Sequence, residues 1–139
     1  MAKQKIMISN NKDIPAEWID IKDRNDFAEV LNLSYKGPVF IFKHSNRCGI
    51  SFHAKHELEQ WYQQGGRQLT VFFLDLLSYR HISNQIAEET GIPHQSPQLI
   101  AIVNGEAVNA KSHTSIEGNE LNHFYNKIFP LAELTGGGG

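Results

Sequence analysis

FIFKHSNRCGIS, residues 40–51, is the stretch on which the fold turns. With Val39 ahead of it, Phe40, Ile41 and Phe42 form a short apolar run, the pattern of a strand covered on both faces; the strand is read as Val39 to Lys43. A polar, basic elbow follows, and it holds Cys48, the single cysteine of the chain. Beyond it Ala54, Leu58, Trp61 and Tyr62 recur at i, i+4, i+7 and i+8, which predicts an amphipathic helix ending at Gly65-Gly66. Leu69 to Leu74, LTVFFL, is a second buried strand. Strand, helix, strand makes a βαβ unit with parallel strands and a right-handed crossover. Cys48 therefore stands at the carboxyl edge of the first strand, where the next helix opens.

Working outward, EWIDI at residues 17–21 alternates as a half-buried strand would. From Asp23 a helix places Phe27, Val30, Leu31 and Ser34 on one stripe, and Lys36-Gly37-Pro38 stops it. Tyr79, Ile82, Ile86 and Ala87 mark a further helix closed by Gly91. Leu99 to Val103, Asn104-Gly105 and Glu106 to Ala110 read as a hairpin, Asn-Gly being the strongest two-residue hairpin signal. Thr114 with Glu117 fits a capping box for a last helix burying Leu121, Phe124, Tyr125 and Ile128. The expected fold class is α/β, a mixed sheet of about five strands flanked by helices, in one domain over residues 1–135. The glycines 136–139 are read as a disordered tail.

Composition narrows the partners. At 139 residues, 40% hydrophobic and 20% charged, the chain is ordinary for one globular domain. Thirteen Lys and Arg against fifteen Asp and Glu leave no cationic surplus for nucleic acid or an anionic membrane. The opening MAKQKIMISN lacks the apolar core of a signal peptide, and no segment approaches a membrane span, so the expected location is cytoplasmic. One cysteine excludes a disulfide or a Cys-rich zinc site within one chain, so any redox chemistry needs a partner thiol.

The position of Cys48 suits that chemistry. A helix N-terminus presents free N–H groups and the positive end of its dipole, which favour a thiolate; Arg47, and Lys43 or His44, are the cations at hand. The bland alternative is a small buried hydrophobe. Asn46, Arg47, Gly49 and Ser51 are not core residues, and they favour exposure. His44 either tunes the thiolate or hydrogen-bonds the loop. Asp75 either moves protons behind the helix or, more simply, caps the next turn.

A cysteine at a strand-to-helix elbow, Ser96-Pro97 ahead of a hairpin and this element order resemble the thioredoxin superfamily, from about Trp18 to Phe129. The run Phe42-Lys43-His44-Ser45-Asn46-Arg47-Cys48-Gly49-Ile50-Ser51, with His94-Gln95-Ser96-Pro97-Gln98, is similar to the YtxJ-type monothiol bacilliredoxins. Their elbow reads approximately Lys-His-Ser-x-x-Cys-Pro-Ile-Ser. The resemblance implies a thioredoxin-like fold and a thiol-disulfide oxidoreductase that removes bacillithiol, or a similar low-molecular-weight thiol, from S-thiolated client proteins. It further implies Cys48 as nucleophile and an active-site loop of Lys43, His44, Asn46, Arg47, Gly49, Ile50 and Ser51. Pro97 would be a cis-proline facing the thiol, and Ser96 would offer backbone groups to an extended substrate. Ser51 stands where dithiol relatives carry a resolving cysteine, and Gly49 departs from the family proline. Bacillithiol would be a co-substrate; no permanently bound cofactor and no metal are expected.

Cys48-Gly49-Ile50-Ser51 is also one residue from the Cys-Gly-Phe-Ser of monothiol glutaredoxins, which carry iron-sulfur clusters with glutathione. Ser96-Pro97-Gln98-Leu99 and Val103-Asn104-Gly105-Glu106 extend that likeness. Their lysine, however, lies farther before the cysteine, and their Gly-Gly and Cys-Asp glutathione contacts are missing after Val108, where this chain reads NAKSHTSI. A redox-inert adaptor is the third reading. Of the seven histidines, His53 and His56 follow Cys48 at offsets of five and eight on one helix. Eight residues are about 12 Å of helix and five turn to another face, so these two are read as solvated.

Overall fold

The computed structural model describes residues 14–65 and 69–132. The opening ten residues, Gly66 and the glycine tail, on which expectations were placed above, lie outside them. The elements run β1 (Ile19–Asp20), α1 (Arg24–Leu33), β2 (Val39–His44), α2 (Gly49–Gln63), β3 (Thr70–Asp75), α3 (Arg80–Thr90), β4 (Gln98–Val103), β5 (Glu106–Ser112) and α4 (Gly118–Ala132). They build one five-stranded sheet in the order β1-β3-β2-β4-β5. β1 and β2 flank β3 in parallel, while β4 runs antiparallel to β2 and β5 antiparallel to β4. This is the mixed α/β sheet that the sequence predicts.

Period-2 alternation along the strands divides the interior into two apolar layers. Phe40 and Phe42 of β2 join Ala54, Leu58, Trp61 and Tyr62 of α2 and Leu121, Phe124 and Ile128 of α4. Val39 and Ile41 turn the other way, to Phe27 and Val30 of α1 and Ile82 and Ile86 of α3. Each large side chain so removed from water stabilises the fold by about 1.5–3 kcal/mol. Trp18, fully buried, closes one end of the first layer, its ring edge-on to Tyr62 at 5.8 Å.

Local signals set most boundaries. The Asp23 side chain accepts the Asp26 N–H and caps α1. Ser34 ends that helix and turns to the hairpin: its carbonyl accepts the Asn104 N–H at 2.9 Å and its Oγ the Gly105 N–H at 2.8 Å. Asn104 and Gly105 have φ of 52° and 81°, the left-handed pair of a tight hairpin turn. A Cβ at Gly105 would collide with the Tyr35 ring, a second reason for glycine there.

Three expectations are corrected. The strand at 17–21 shrinks to Ile19–Asp20, an edge too short to template another chain. β5 extends past Ala110 to Ser112, because Gln98 at the start of β4 pairs with Ser112. The capping box does not form: residues 113–115 make a 3-10 turn, α4 starts at Gly118, and the Gly118 N–H donates to Glu57 Oε1 of α2 at 3.1 Å. A carboxylate 61 positions away in sequence does the work assigned to Thr114.

Candidate active site

The site is built on the last two residues of β2. Lys43 and His44 continue the strand rather than the elbow, and both are fully buried. Alternation sends them to opposite faces of the sheet.

His44 faces α2. Its Nδ1 lies 2.8 Å from Ser51 Oγ, and the same Oγ accepts the Ser45 N–H at 3.0 Å. The ring stacks on Phe42 at 6.0 Å and meets Phe52 edge-on at 5.0 Å. Burial, helped by the Lys55 charge, pushes the imidazole below its ordinary pKa and outweighs the raising effects of Asp75, Asn46 and Ser51. A neutral ring with the Ser51 hydroxyl donating to Nδ1 carries its proton on Nε2. Of the two roles open to His44, the geometry matches the structural one: it ties the elbow to the first turn of α2 and brings no positive charge.

Cys48 is the N-cap residue of α2, in extended backbone with φ −120° and ψ 118°. Its carbonyl accepts the Ser51 N–H at 3.0 Å and the Phe52 N–H at 3.2 Å, while its own N–H donates to Ser45 O at 3.3 Å. The side chain makes no capping bond and is partly exposed, between the exposed residues Asn46, Arg47, Gly49 and Ile50. Thiol and helix N-terminus thus coincide, at the positive end of a 15-residue helix. A Cβ at Gly49 would meet nothing within 4 Å, so the space where a side chain would start there is open.

Lys43 faces α3, away from the elbow to which the sequence assigned it. Its Nζ donates to Ser83 O at 3.2 Å, and burial pushes the amine down to about 8. Ser83 Oγ lies 3.1 Å from His94 Nδ1. Lys43 therefore brings its charge to the residues ahead of β4. There the Ser96-Pro97 bond is cis, as the resemblance implies, and Pro97 is buried. Lys43 pairs with Gln98 across the sheet, and one further step of that register brings Pro97 alongside His44, at the strand end from which the elbow departs. The Pro97 carbonyl is taken by the His113 N–H at 3.0 Å, and Gln98 Nε2 donates to Pro93 O at 3.0 Å. Asp75 caps its turn, accepting from the Leu77 and Ser78 N–H groups and the Ser78 hydroxyl.

Sequence reasoning named Ile50 in the active-site loop but passed over two further exposed apolar side chains, Phe52 and Leu77. Ile50, Phe52 and Leu77 are 46%, 51% and 42% exposed, on the first turn of α2 and just after β3. Phe52 lies off the Ala54–Leu58–Trp61 stripe, and that misplaced aromatic was the available signal. His53 and His56 are exposed on α2. Among the described residues no three His, Cys, Asp or Glu side chains converge as a metal ligand set, and no helix is long and apolar enough to cross a membrane.

The profile of a family described as monothiol bacilliredoxin BrxC matches residues 19–121, most of the chain and every strand and helix of the site. The chain belongs to the monothiol bacilliredoxin family. Among solved structures, a candidate oxidoreductase with a thioredoxin fold is 30% identical, with a TM-score of 0.68 over 77% of this chain and 92% of that one. Thioredoxin from Fasciola hepatica is 12% identical, with a TM-score of 0.62 over 75% and 92%. Oxidised thioredoxin O1 from Arabidopsis thaliana is 14% identical, with a TM-score of 0.64 over 81% and 98%. The last two show the fold alone, and bacilliredoxin membership rests on the family match.

Proposed function

We propose that this bacilliredoxin is a cytoplasmic monothiol oxidoreductase that removes bacillithiol, or a thiol of the same class, from mixed disulfides on client proteins. The observation that carries the reading is Cys48 itself: the chain's one thiol, partly exposed, at the N-terminus of α2. Cys48 thiolate attacks the bacillithiol sulfur of the client disulfide. The old S–S bond breaks, the client cysteine leaves as a thiolate and takes up a proton, and Cys48 becomes the new mixed disulfide. A second low-molecular-weight thiol attacks that adduct and restores Cys48, carrying bacillithiol away as a small disulfide. Ser51 has no sulfur with which to expel the adduct internally, so regeneration is bimolecular. In this reading Ser96 and Pro97 line the client side, Asn46, Arg47, Gly49 and Ile50 frame the thiol, and His44 with Ser51 holds the elbow; no metal takes part.

The test is a bacillithiolated client protein incubated with the wild type and with Cys48→Ser. The wild type should free the client thiol, one equivalent per Cys48 without added thiol and catalytically with it. Cys48→Ser should leave the client modified. A wild type that leaves the client modified refutes the assignment.

A further inference from the structure

Lys43 is the polar group that the thiol chemistry leaves unexplained. It interrupts the layer of Val39, Ile41, Ile82, Ile86, Ile100 and Ile102, where a methionine would fill the same space without desolvating an amine. Its surroundings are polar in one direction only, toward the segment 92–97 ahead of β4. The amine holds Ser83 O, Ser83 Oγ meets His94 within that segment, and Gln98, the cross-strand partner of Lys43, donates to Pro93 O at the segment's start. Lys43, Ser83 and Gln98 are all buried. An ammonium has three donors, and among the described residues one is used, on Ser83. Two buried oxygens have no partner among the described residues: Gln98 Oε1, on the cross-strand partner of Lys43, and Ser96 Oγ, within the 92–97 segment. His94 feels the charge: burial, then Lys43, then Arg80 hold its imidazole below the ordinary range.

We propose that Lys43 is a positioning residue: with Ser83, His94 and Gln98 it fixes the 92–97 segment from behind the sheet, and so sets how a client protein lies against Cys48 while leaving the thiol itself untouched. This rests on the proposed function for its client arm, but not for its structural arm.

The experiment is Lys43→Met in the full chain, with three readouts beside thermal stability. Transfer from a bacillithiolated client should lose about tenfold in kcat/KM, chiefly through KM, because a misaligned substrate pose costs rate even when the reacting groups are intact. Capping of Cys48 by a small aromatic disulfide, which needs no seated protein, should stay within about twofold of the wild type. The His94 imidazole, followed by NMR, should titrate at higher pH, and amide exchange at His94 and Ser96 should quicken by about tenfold while Ile41 and Ile100 in the strands stay protected. If stability falls and client transfer and capping decline together, Lys43 is only a core residue and the proposal fails. If exchange at His94 and Ser96 is unchanged, it fails as well. In a wild type inactive on the client, exchange and the His94 titration decide alone, which separates this proposal from the functional one. Should Lys43→Met not fold, Ser83→Ala cuts the link to His94 while keeping the Ser83 carbonyl, and the same exchange readout decides.

Discussion

Lys43 and His44 are adjacent in β2, equally buried and both polar, and they serve opposite faces of the sheet. On the α2 face His44 is neutral and hydrogen-bonded to Ser51, which in turn holds the Ser45 N–H, so the groups at the elbow have short partners. On the α3 face Lys43 carries a cation into an apolar layer with a carbonyl and no carboxylate to meet it, while Gln98 Oε1 and Ser96 Oγ stay unpaired among the described residues. Around His44 the polar groups are satisfied and give the elbow its shape, although Trp18 Nε1 in the same layer has no partner among the described residues. The α3 face keeps an unfavourable buried charge beside the segment that carries Pro97. Satisfied polar groups stabilise a fold, and costly ones persist where they do something else.

The comparison breaks most sharply at Ser51. Ser51→Ala leaves the Ser45 N–H and His44 Nδ1 buried without their partner, and should cost about 2–3 kcal/mol in chemical denaturation. If the loss stays below about 0.5 kcal/mol, the elbow face is not held in this way.

Lys43→Met should act in the opposite direction, raising stability near pH 7 by about 1–2 kcal/mol, since it removes a buried charge and keeps the volume. The sign follows from linkage. The folded amine is pushed down to about 8 from an ordinary value of 10.5, so between those limits the unfolded chain binds more protons. Lys43 therefore makes stability rise with pH across that window, and its full penalty applies below it. Denaturation from pH 7 to 11 should show the wild type gaining on Lys43→Met above about pH 8; parallel curves would mean that the amine carries no buried charge.

His44 gives a smaller slope of the same sign in a more acidic window. Its folded pKa lies below the ordinary value of 6.5, so its contribution is complete above that pH and is lost as pH falls through the folded value. His44→Gln should flatten the acid limb of the stability curve below about pH 6.5 and leave the Lys43 window alone.

The smallest effect is expected at Gly49. It is the first residue of α2, where no intrahelical N–H bond is lost, and the space beside it is open. Gly49→Pro should stabilise by about 0.4–1 kcal/mol by restricting the unfolded chain. A loss of stability would mean that the elbow backbone cannot accept the family residue.

Much of this was legible beforehand because the signals were local. Apolar runs, the helical stripe ending in Trp61 and Tyr62, Gly91 and Asn104-Gly105 each act on their own neighbourhood, and the elements form where those residues place them. Cys48 at a helix N-terminus follows from the same reasoning. The partnerships of the site were not legible, because they join distant residues: Lys43 to Ser83 across 40 positions, Gly118 to Glu57 across 61. The opposed faces of Lys43 and His44 did follow from the period of a strand. They were obscured because the strand was read to end at Lys43, one residue short of His44, and both residues were counted in the active-site loop.

The central claim is that Cys48 exchanges thiols with bacillithiol, and intact-protein mass spectrometry after exposure to oxidised bacillithiol tests it most directly. The account predicts a single stable addition on the wild type, none on Cys48→Ser, and release by excess bacillithiol, since no second thiol in the chain can expel the adduct. An unmodified wild type would contradict it. So would a chain that ignores the disulfide but, on anaerobic reconstitution with iron, sulfide and a small thiol, forms a coloured dimer ligated by one Cys48 from each copy.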